Sequence, residues 1–252
     1  DRTGLIDCAA CHTADKPANH FEGQCSTCHA TTAWLPATFD HTGLTDCVSC
    51  HTASGGAPVS GGLRLDTPFG YMLSPNITPD PDTGIGRWSS ADFYRPLHDG
   101  VNKHGKDMYP TMPYDFYTKV TRADVDALYA YLRTVKPVRN AVDINHLYFP
   151  FNQRWTMGVW RELYFTEGAF RPDATKSASW NRGAYLVEGL GHCSDCHSPR
   201  NLMGGIEKNK DFTGAVIDGW FALDLTSDIA TGLGSWSVDE IATYFKTGVA
   251  RD

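Results

Sequence analysis

The stretch DCVSCHTA, residues 46–53, places two cysteines three positions apart and a histidine directly after the second. The same Cys-x-x-Cys-His arrangement occurs at three other places and uses all eight cysteines of the chain. The four motifs are Cys8/Cys11/His12, Cys25/Cys28/His29, Cys47/Cys50/His51 and Cys193/Cys196/His197. This motif is the attachment signature of haem c: the thiols bind the two vinyl groups, and the histidine faces the iron as its proximal ligand.

A single Cys-x-x-Cys pair is also typical of a zinc half-site or of a thioredoxin-like redox pair. Four pairs, each followed by histidine and with no cysteine left over, favour haem attachment at all four. The sequence therefore predicts four covalently bound haem c groups. Because haem c is attached outside the cytoplasm, we expect a mature exported protein, periplasmic or extracellular, from which a signal peptide has been removed.

Charge and hydropathy restrict the class of partner. The chain of 252 residues has a formal net charge of −7, which argues against nucleic acid and favours neutral or basic redox proteins as partners. It contains no run of eighteen apolar residues, so we expect no transmembrane segment. No Ser/His/Asp set, phosphate-binding loop or pair of catalytic carboxylates is recognisable, which indicates an electron carrier rather than an enzyme.

Two internal repeats define the domain organisation. Residues 1–14 align with residues 40–53 at an offset of 39, and residues 76–101 align with residues 224–249 at an offset of 148. The second repeat predicts two related single-haem modules. The predicted units are a dihaem N-terminal segment (1–41), a first module (42–140), a connector (141–177) and a second module (178–252).

Helix signals in the modules predict a mainly α fold with extensive loops. Ser89 with Asp92 and Ser237 with Glu240 read as capping boxes, each of which opens a helix. A further helix is predicted over 121–135, an amphipathic connector helix over 152–165, and a helix leading into the Cys193 motif. The segment 1–41 is too short to build a core from side chains alone, so its haems must form its core.

The order of elements in 42–136 is that of a class I cytochrome c: an attachment helix, a long loop, a middle helix, a methionine loop and a C-terminal helix. The matching stretches are SPNITPDPDTGIGRWS (74–89), YPTMPY (109–114), FPFNQRW (149–155) and WNRGAYLVEGLGHCSDCHSPRN (180–201). Through them, residues from about 45 to 252 resemble the cytochrome c subunits of membrane-bound alcohol and gluconate dehydrogenases. Residues 1–53 resemble the short repeats of multihaem cytochromes. The resemblance to the dehydrogenase subunits implies an electron-accepting role.

The first repeat suggests the sixth iron ligands of the N-terminal haems. His41 in the later copy stands where the earlier copy has Arg2, and no haem precedes Arg2 in the chain. We therefore predict that each such histidine serves the preceding haem: His20 the Cys8/Cys11 haem and His41 the Cys25/Cys28 haem. The alternative is that Arg2 merely reflects drift at a chain end.

For the third haem, the resemblance of YPTMPY to the methionine loop of the dehydrogenase subunits implies Met112 as the sixth ligand, with Met108 in reserve. A thioether raises the potential of the iron relative to two imidazoles. The alternative role of either methionine is to fill gaps in the core. His98 and His104 are expected to be exposed or near haem propionates.

The fourth haem has no evident sixth ligand. The counterparts of Met112 and of helix 121–135 would fall beyond residue 252, so we expect the second module to be truncated and to lack its closing helix. Met203 follows Cys196 too closely and His192 adjoins Cys193 on the wrong side, whereas His146 is possible but would have to reach across modules. Three explanations remain open: a further C-terminal tail, a ligand from another chain, or an open iron site.

These observations lead to three functional hypotheses. The first is a tetrahaem relay of electrons, either a soluble carrier or a homo-oligomer or filament assembled through ligands donated between chains. The second is the electron-accepting cytochrome subunit of a periplasmic membrane-bound dehydrogenase. The third is a redox enzyme with an open fourth haem, which a high-spin optical signal would indicate.

Overall fold

The computed structural model describes residues 51–217 and 220–249. Within these residues no helix combines the length and the apolar character needed to cross a bilayer. The helices are α1 (Ser90–His98), α2 (Tyr114–Tyr117), α3 (Arg122–Leu132), α4 (Trp155–Tyr164), α5 (Ala178–Tyr185), α6 (Cys193–His197) and α7 (Val238–Thr247). The strands are β1 (Arg64–Thr67), β2 (Gly70–Leu73), β3 (Asn145–Leu147), β4 (Ala215–Ile217) and β5 (Trp220–Ala222). The described chain is thus mainly helical with long loops, as predicted.

Helices α1 and α3 enclose the main core of the first module. The Ser89 side chain accepts a hydrogen bond from Asp92 N and completes the predicted capping box, and the Thr121 side chain caps α3 by accepting from Asp124 N. The rings of Phe93 and Tyr129 lie 5.5 Å apart, so α1 and α3 contact each other directly. The buried cluster consists of Val59, Ile85, Phe93, Leu97, Val120, Val125 and Leu132.

A small antiparallel sheet is formed by two strands of the predicted long loop and one strand of the predicted connector. Strands β1 and β2 form a hairpin, and β3 pairs with the other edge of β2. The prediction was wrong here because strands of three or four residues are too short to show a period of two. Gly70 is needed at the turn: its φ is +116°, and a Cβ there would lie 2.6 Å from the carbonyl oxygen of His146.

The connector helix α4 and the helix before the fourth motif both form. On α4, Met157 and Trp160 are buried, whereas Trp155 and Val159 are exposed, so the helix is anchored by one face. Helix α5 continues as a π-helical turn, Leu186–Leu190. The chain then bends at His192, whose φ is +35°, before α6 begins.

The second large repeat is also a repeat in structure. Ile85 N donates to Thr78 O over 2.8 Å, and Leu233 N donates to Thr226 O over 2.7 Å, with both partners shifted by 148 positions. Gly84 allows the first loop to close, since a Cβ there would lie only 2.1 Å from Thr78 O. The loops therefore share a backbone fold that their sequences only suggested.

The two copies differ in how much of the helix after this loop is buried. Helix α1 buries Phe93, Pro96 and Leu97, whereas α7, which begins with the predicted capping box at Ser237, buries no residue. At the position of Leu97 the second copy has Phe245, which is 39% exposed.

Candidate haem attachment sites

The fourth motif forms a short helix that brings its three functional side chains together. Helix α6 runs from Cys193 to His197, so both thiols and the imidazole lie within about one and a half turns. His197 Nδ1 lies 2.7 Å from the carbonyl oxygen of Leu223. With Nδ1–H donating to that carbonyl, the second ring nitrogen, Nε2, is left as the metal-binding atom.

His51 of the third motif is held in the same way. Its Nδ1 lies 2.6 Å from the carbonyl oxygen of Pro75, and Pro75 and Leu223 are separated by the repeat offset of 148. Burial lowers the pKa of His51 below its ordinary value, and the bond to Pro75 opposes this shift. A neutral imidazole with one nitrogen committed to a carbonyl is the form that ligates a metal. His51 and His197 therefore both fit a haem iron.

Helix α6 is fixed to the loop that follows it. Ser198 Oγ donates to Asp211 Oδ1 over 2.7 Å and accepts from Phe212 N over 2.8 Å, and Ser194 Oγ also donates to Asp211. Gly214 N donates to His197 O over 2.8 Å. These hydrogen bonds within the protein orient the attachment helix.

Met112 and Met108 lie in the loop between α1 and α2. Met112 is half-buried and packs against the main core cluster of the first module. Its loop is tight, because Tyr114 N donates to Met112 O over 2.7 Å. Met108 N donates to Gly100 O over 2.9 Å. The role of Met112 as sixth ligand stays a prediction.

The remaining histidines of the described chain have separate surroundings. His104 is exposed, as expected, but the side chain of His98 is only 15% exposed and stacks on Tyr94. His146 stacks on Tyr71 within the first sheet, and its Nε2 lies 2.9 Å from Asp143 O.

His192 and Met203 also have local contacts. The ring of His192 lies 5.5 Å from that of Tyr117, which follows from the close approach of the segment before α6 to the first module. The carbonyl oxygen of Met203 accepts a hydrogen bond from Trp160.

The other predicted site residues lie outside the described residues, and their roles stay predictions. They are Cys8, Cys11, His12, His20, Cys25, Cys28, His29, His41, Cys47 and Cys50.

A direct junction joins the two modules, and the sequence did not predict it. Thr121 N donates to the Tyr185 hydroxyl over 3.0 Å, and that hydroxyl donates to the carboxylate of Asp124. Lys119 Nζ and Glu188 Oε2 form an ion pair at 2.9 Å. We call these contacts, together with the packing of Leu190 against the main core, the module junction. It brings the segment before α6 against the start of α3.

Asp115, on the helix before the module junction, gives a pH-dependent prediction. Burial raises its pKa from 3.8 to about 6, the carboxylate of Asp195 adds to the shift, and Arg200 opposes it. Because the folded state favours the protonated form, the stability contributed by that form is complete below pH 3.8 and is lost as the pH rises through 6. Asp115→Asn should therefore raise the free energy of unfolding at pH 7 by about 2–3 kcal/mol.

Denaturant titrations at pH 7 and pH 3.5 check this, and the gain should nearly vanish at the lower pH. The exposed Asp143 provides the control, since Asp143→Asn should change stability by less than about 0.5 kcal/mol at either pH. A gain that is equal at both pH values would contradict the assignment.

Two histidines held by carbonyls at one repeat offset, each directly after a Cys-x-x-Cys pair, are the arrangement expected of haem c attachment sites. In agreement, residues 41–136 match the cytochrome c family. The prediction of a cytochrome c domain with covalently attached haem is thereby confirmed for this part of the chain. The count of four haems is an expectation from the sequence.

Three curated relatives extend this result. A nicotinate dehydrogenase subunit of Pseudomonas putida is 48% identical over 199 residues, which are 79% of this chain and 17% of the relative. The gluconate 2-dehydrogenase cytochrome c subunit of Pantoea cypripedii is 41% identical, over 77% of this chain and 46% of the relative. A diheme cytochrome c-type protein of Cereibacter sphaeroides is 39% identical, over 77% and 64%.

The chain spans less than two thirds of the length of each of these relatives. The resemblance to dehydrogenase cytochrome c subunits is confirmed.

Proposed function

We propose that this chain is the electron-accepting cytochrome c subunit of a periplasmic dehydrogenase. The observation that carries the proposal is the matched pair of proximal sites, with His51 bonded to Pro75 O and His197 bonded to Leu223 O. Similarity to a gluconate 2-dehydrogenase cytochrome c subunit supports the type of partner. Electrons from substrate oxidation in a partner chain would enter this chain and leave to a further acceptor such as a quinone.

The residues of this chain would bind, orient and space the redox centres. Bound haem supplies reversible one-electron chemistry at its iron. The Pro75 and Leu223 carbonyls set the orientation of the two imidazoles, and the cysteine pairs provide covalent attachment. The Lys119–Glu188 ion pair and the other contacts of the module junction hold the segment before α6 against the first module. The junction would thereby keep the spacing of the third and fourth haems constant.

The dihaem segment 1–41 would lengthen this route. With His20 and His41 as sixth ligands, its two haems carry two imidazoles each, and the third carries an imidazole and the Met112 thioether. Because the thioether raises the potential, electrons passing from the first module towards the N-terminal segment would move to lower potential, and electrons passing the other way would move to higher potential. The second direction is the favourable one.

The filament hypothesis is less well supported than the dehydrogenase subunit. Two of the three relatives carry names of dehydrogenase subunits, which agrees with a discrete complex. The filament that the sequence suggests would take the sixth ligand of its fourth haem from a neighbouring copy.

Purifying the haem-loaded protein from its native source, together with any chain bound to it, tests the proposal. We expect a catalytic dehydrogenase chain to co-purify in a fixed ratio, and we expect substrate of that chain to reduce the haems within the complex. A homogeneous filament of this chain alone, with no dehydrogenase attached, would overturn the proposal.

The Met112 assignment gives a second prediction. Met112→Leu preserves the packing against the core but removes the thioether, so the third haem should lose its methionine-to-iron charge-transfer absorption and its potential should fall if water or nitrogen takes the sixth position. Met108→Leu is the matched control and should leave both unchanged. Visible spectroscopy combined with redox titration checks this, and the reverse pattern would assign the ligand to Met108.

A further inference from the structure

Three side chains with metal-ligating atoms converge on the surface of the first module. His98 is the last residue of α1, Asp99 follows it, and Glu167 comes from the segment after α4. His98 Nδ1 lies 2.8 Å from Asp99 Oδ1 and 3.9 Å from Glu167 Oε1. One ligand atom from each residue lies within 4.8 Å of the other two. We call these three residues the His98 cluster.

Packing fixes the plane of the His98 ring, whose Nδ1 faces the carboxylates. The ring stacks on Tyr94 with centroids 4.7 Å apart and an angle of 17° between the planes. The side chain of His98 is only 15% exposed, although the cluster itself opens to solvent. A restricted ring loses little rotational freedom when its Nδ1 binds a ligand, so the nitrogen is preorganised.

The backbone on both sides of Glu167 is anchored as well. Phe165 N donates to Arg161 O over 2.9 Å, and Gly168 N donates to Thr118 Oγ1 over 2.9 Å. Glu167 therefore reaches the end of α1 from a segment that is held in place, even though its own side chain is 55% exposed.

The charge around the cluster favours a cation. Two carboxylates face one imidazole. Arg95 offsets the charge of Asp99 and Arg161 is paired with Asp107, so the charge of Glu167 makes the balance negative. Arg95 Nε lies 3.7 Å from Asp99, at an exposed position. Arg161 directs its guanidinium to the backbone oxygens of Asp99 and Gly100 and to the carboxylate of Asp107.

From this geometry we propose that the His98 cluster binds a divalent cation of the zinc class. One imidazole nitrogen with two carboxylate oxygens suits Zn²⁺, whereas Ca²⁺ and Mg²⁺ prefer oxygen ligands alone. A tetrahedral zinc site places its ligand atoms about 3.3 Å apart. The distances from His98 Nδ1 to Asp99 Oδ1, 2.8 Å, and to Glu167 Oε1, 3.9 Å, lie on either side of that value. The fourth position would face solvent beside an open pocket of about 320 Å³ that Arg161, Glu162 and Glu167 line.

The second module provides an internal comparison. At the repeat offset of 148, the positions of His98 and Asp99 hold Lys246 and Thr247, which cannot form such a site. The cation would thus be specific to the first module, where it links the end of α1 to the connector after α4. It would lock the connector in place at a point separate from the module junction.

Equilibrium dialysis of the haem-loaded protein against micromolar ZnCl₂, followed by metal analysis, tests the proposal. We expect the wild type to retain one zinc more than His98→Ala, and Glu167→Gln to weaken binding tenfold or more. Glu167→Gln is a second test that should not impair folding, since that side chain is more than half exposed. An unchanged haem spectrum verifies the fold of each variant.

His104→Ala is the matched control, because His104 is an exposed histidine six residues away and should leave zinc retention unchanged. Equal zinc retention by the wild type, His98→Ala and Glu167→Gln overturns the proposal. The cluster would then be only a set of polar contacts between an imidazole and two carboxylates.

Discussion

Replacing His197 by Ala should change the coordination of one haem and leave the others as they are. The imidazole that Leu223 O orients towards the fourth haem would be lost, while Cys193 and Cys196 would still attach the porphyrin. The affected iron should become high-spin or take a different ligand. His51→Ala should do the same to the third haem, whose proximal ring is oriented by Pro75 O. Electron paramagnetic resonance of the haem-loaded protein measures both changes.

The two replacements should affect different signals, and the double variant should lose both. His104→Ala controls for the removal of an exposed histidine and should leave every signal in place. If His197→Ala left the set of iron signals unchanged, the assignment of His197 as proximal ligand would be wrong.

Leu132→Ala should lower the stability of the first module by about 3 kcal/mol. Leu132 is 1% exposed and belongs to the cluster that joins α1 to α3. Shortening it removes apolar contacts and leaves a cavity that rigid neighbours such as Ile85, itself 2% exposed, cannot fill. Denaturant unfolding of the haem-loaded protein gives the change in free energy.

The adjacent Tyr131 supplies the control, because its side chain is 39% exposed. Tyr131→Ala should cost less than about 1 kcal/mol, since Tyr131 does not belong to the buried cluster. Similar losses for the two variants would show that the α1–α3 cluster is not the core of this module.

The helices could be predicted because their signals are local. Each helix cap spans only four residues of sequence. The capping boxes at Ser89 and Ser237 and the cap at Thr121 each begin a helix in the structure. The sheet and the module junction could not be predicted in this way. Strand β3 reaches β2 from more than seventy residues away, and Tyr185 reaches Thr121 across 64 positions.

The candidate site likewise combines features that local sequence predicts with features that depend on distant contacts. The Cys-x-x-Cys-His motif predicted the proximal ligands, but the bonds from His51 to Pro75 O and from His197 to Leu223 O are made to backbone atoms. Every residue has a backbone carbonyl, so the residue type does not reveal which one bonds the histidine. Pro75 and Leu223 are different residue types at equivalent positions of the repeat. His98 was expected to be exposed or near a propionate, and its proximity to Glu167 depends on a fold contact across 69 positions.

The intact mass of the denatured native protein tests most directly whether the chain carries four covalent haems. Haem that is bound through thioethers stays attached after denaturation, so we predict a mass that exceeds that of the polypeptide by four haem groups. Cys193→Ala combined with Cys196→Ala should reduce the excess to three. A mass equal to that of the bare polypeptide, or an excess that the loss of these two cysteines does not change, would contradict this assignment.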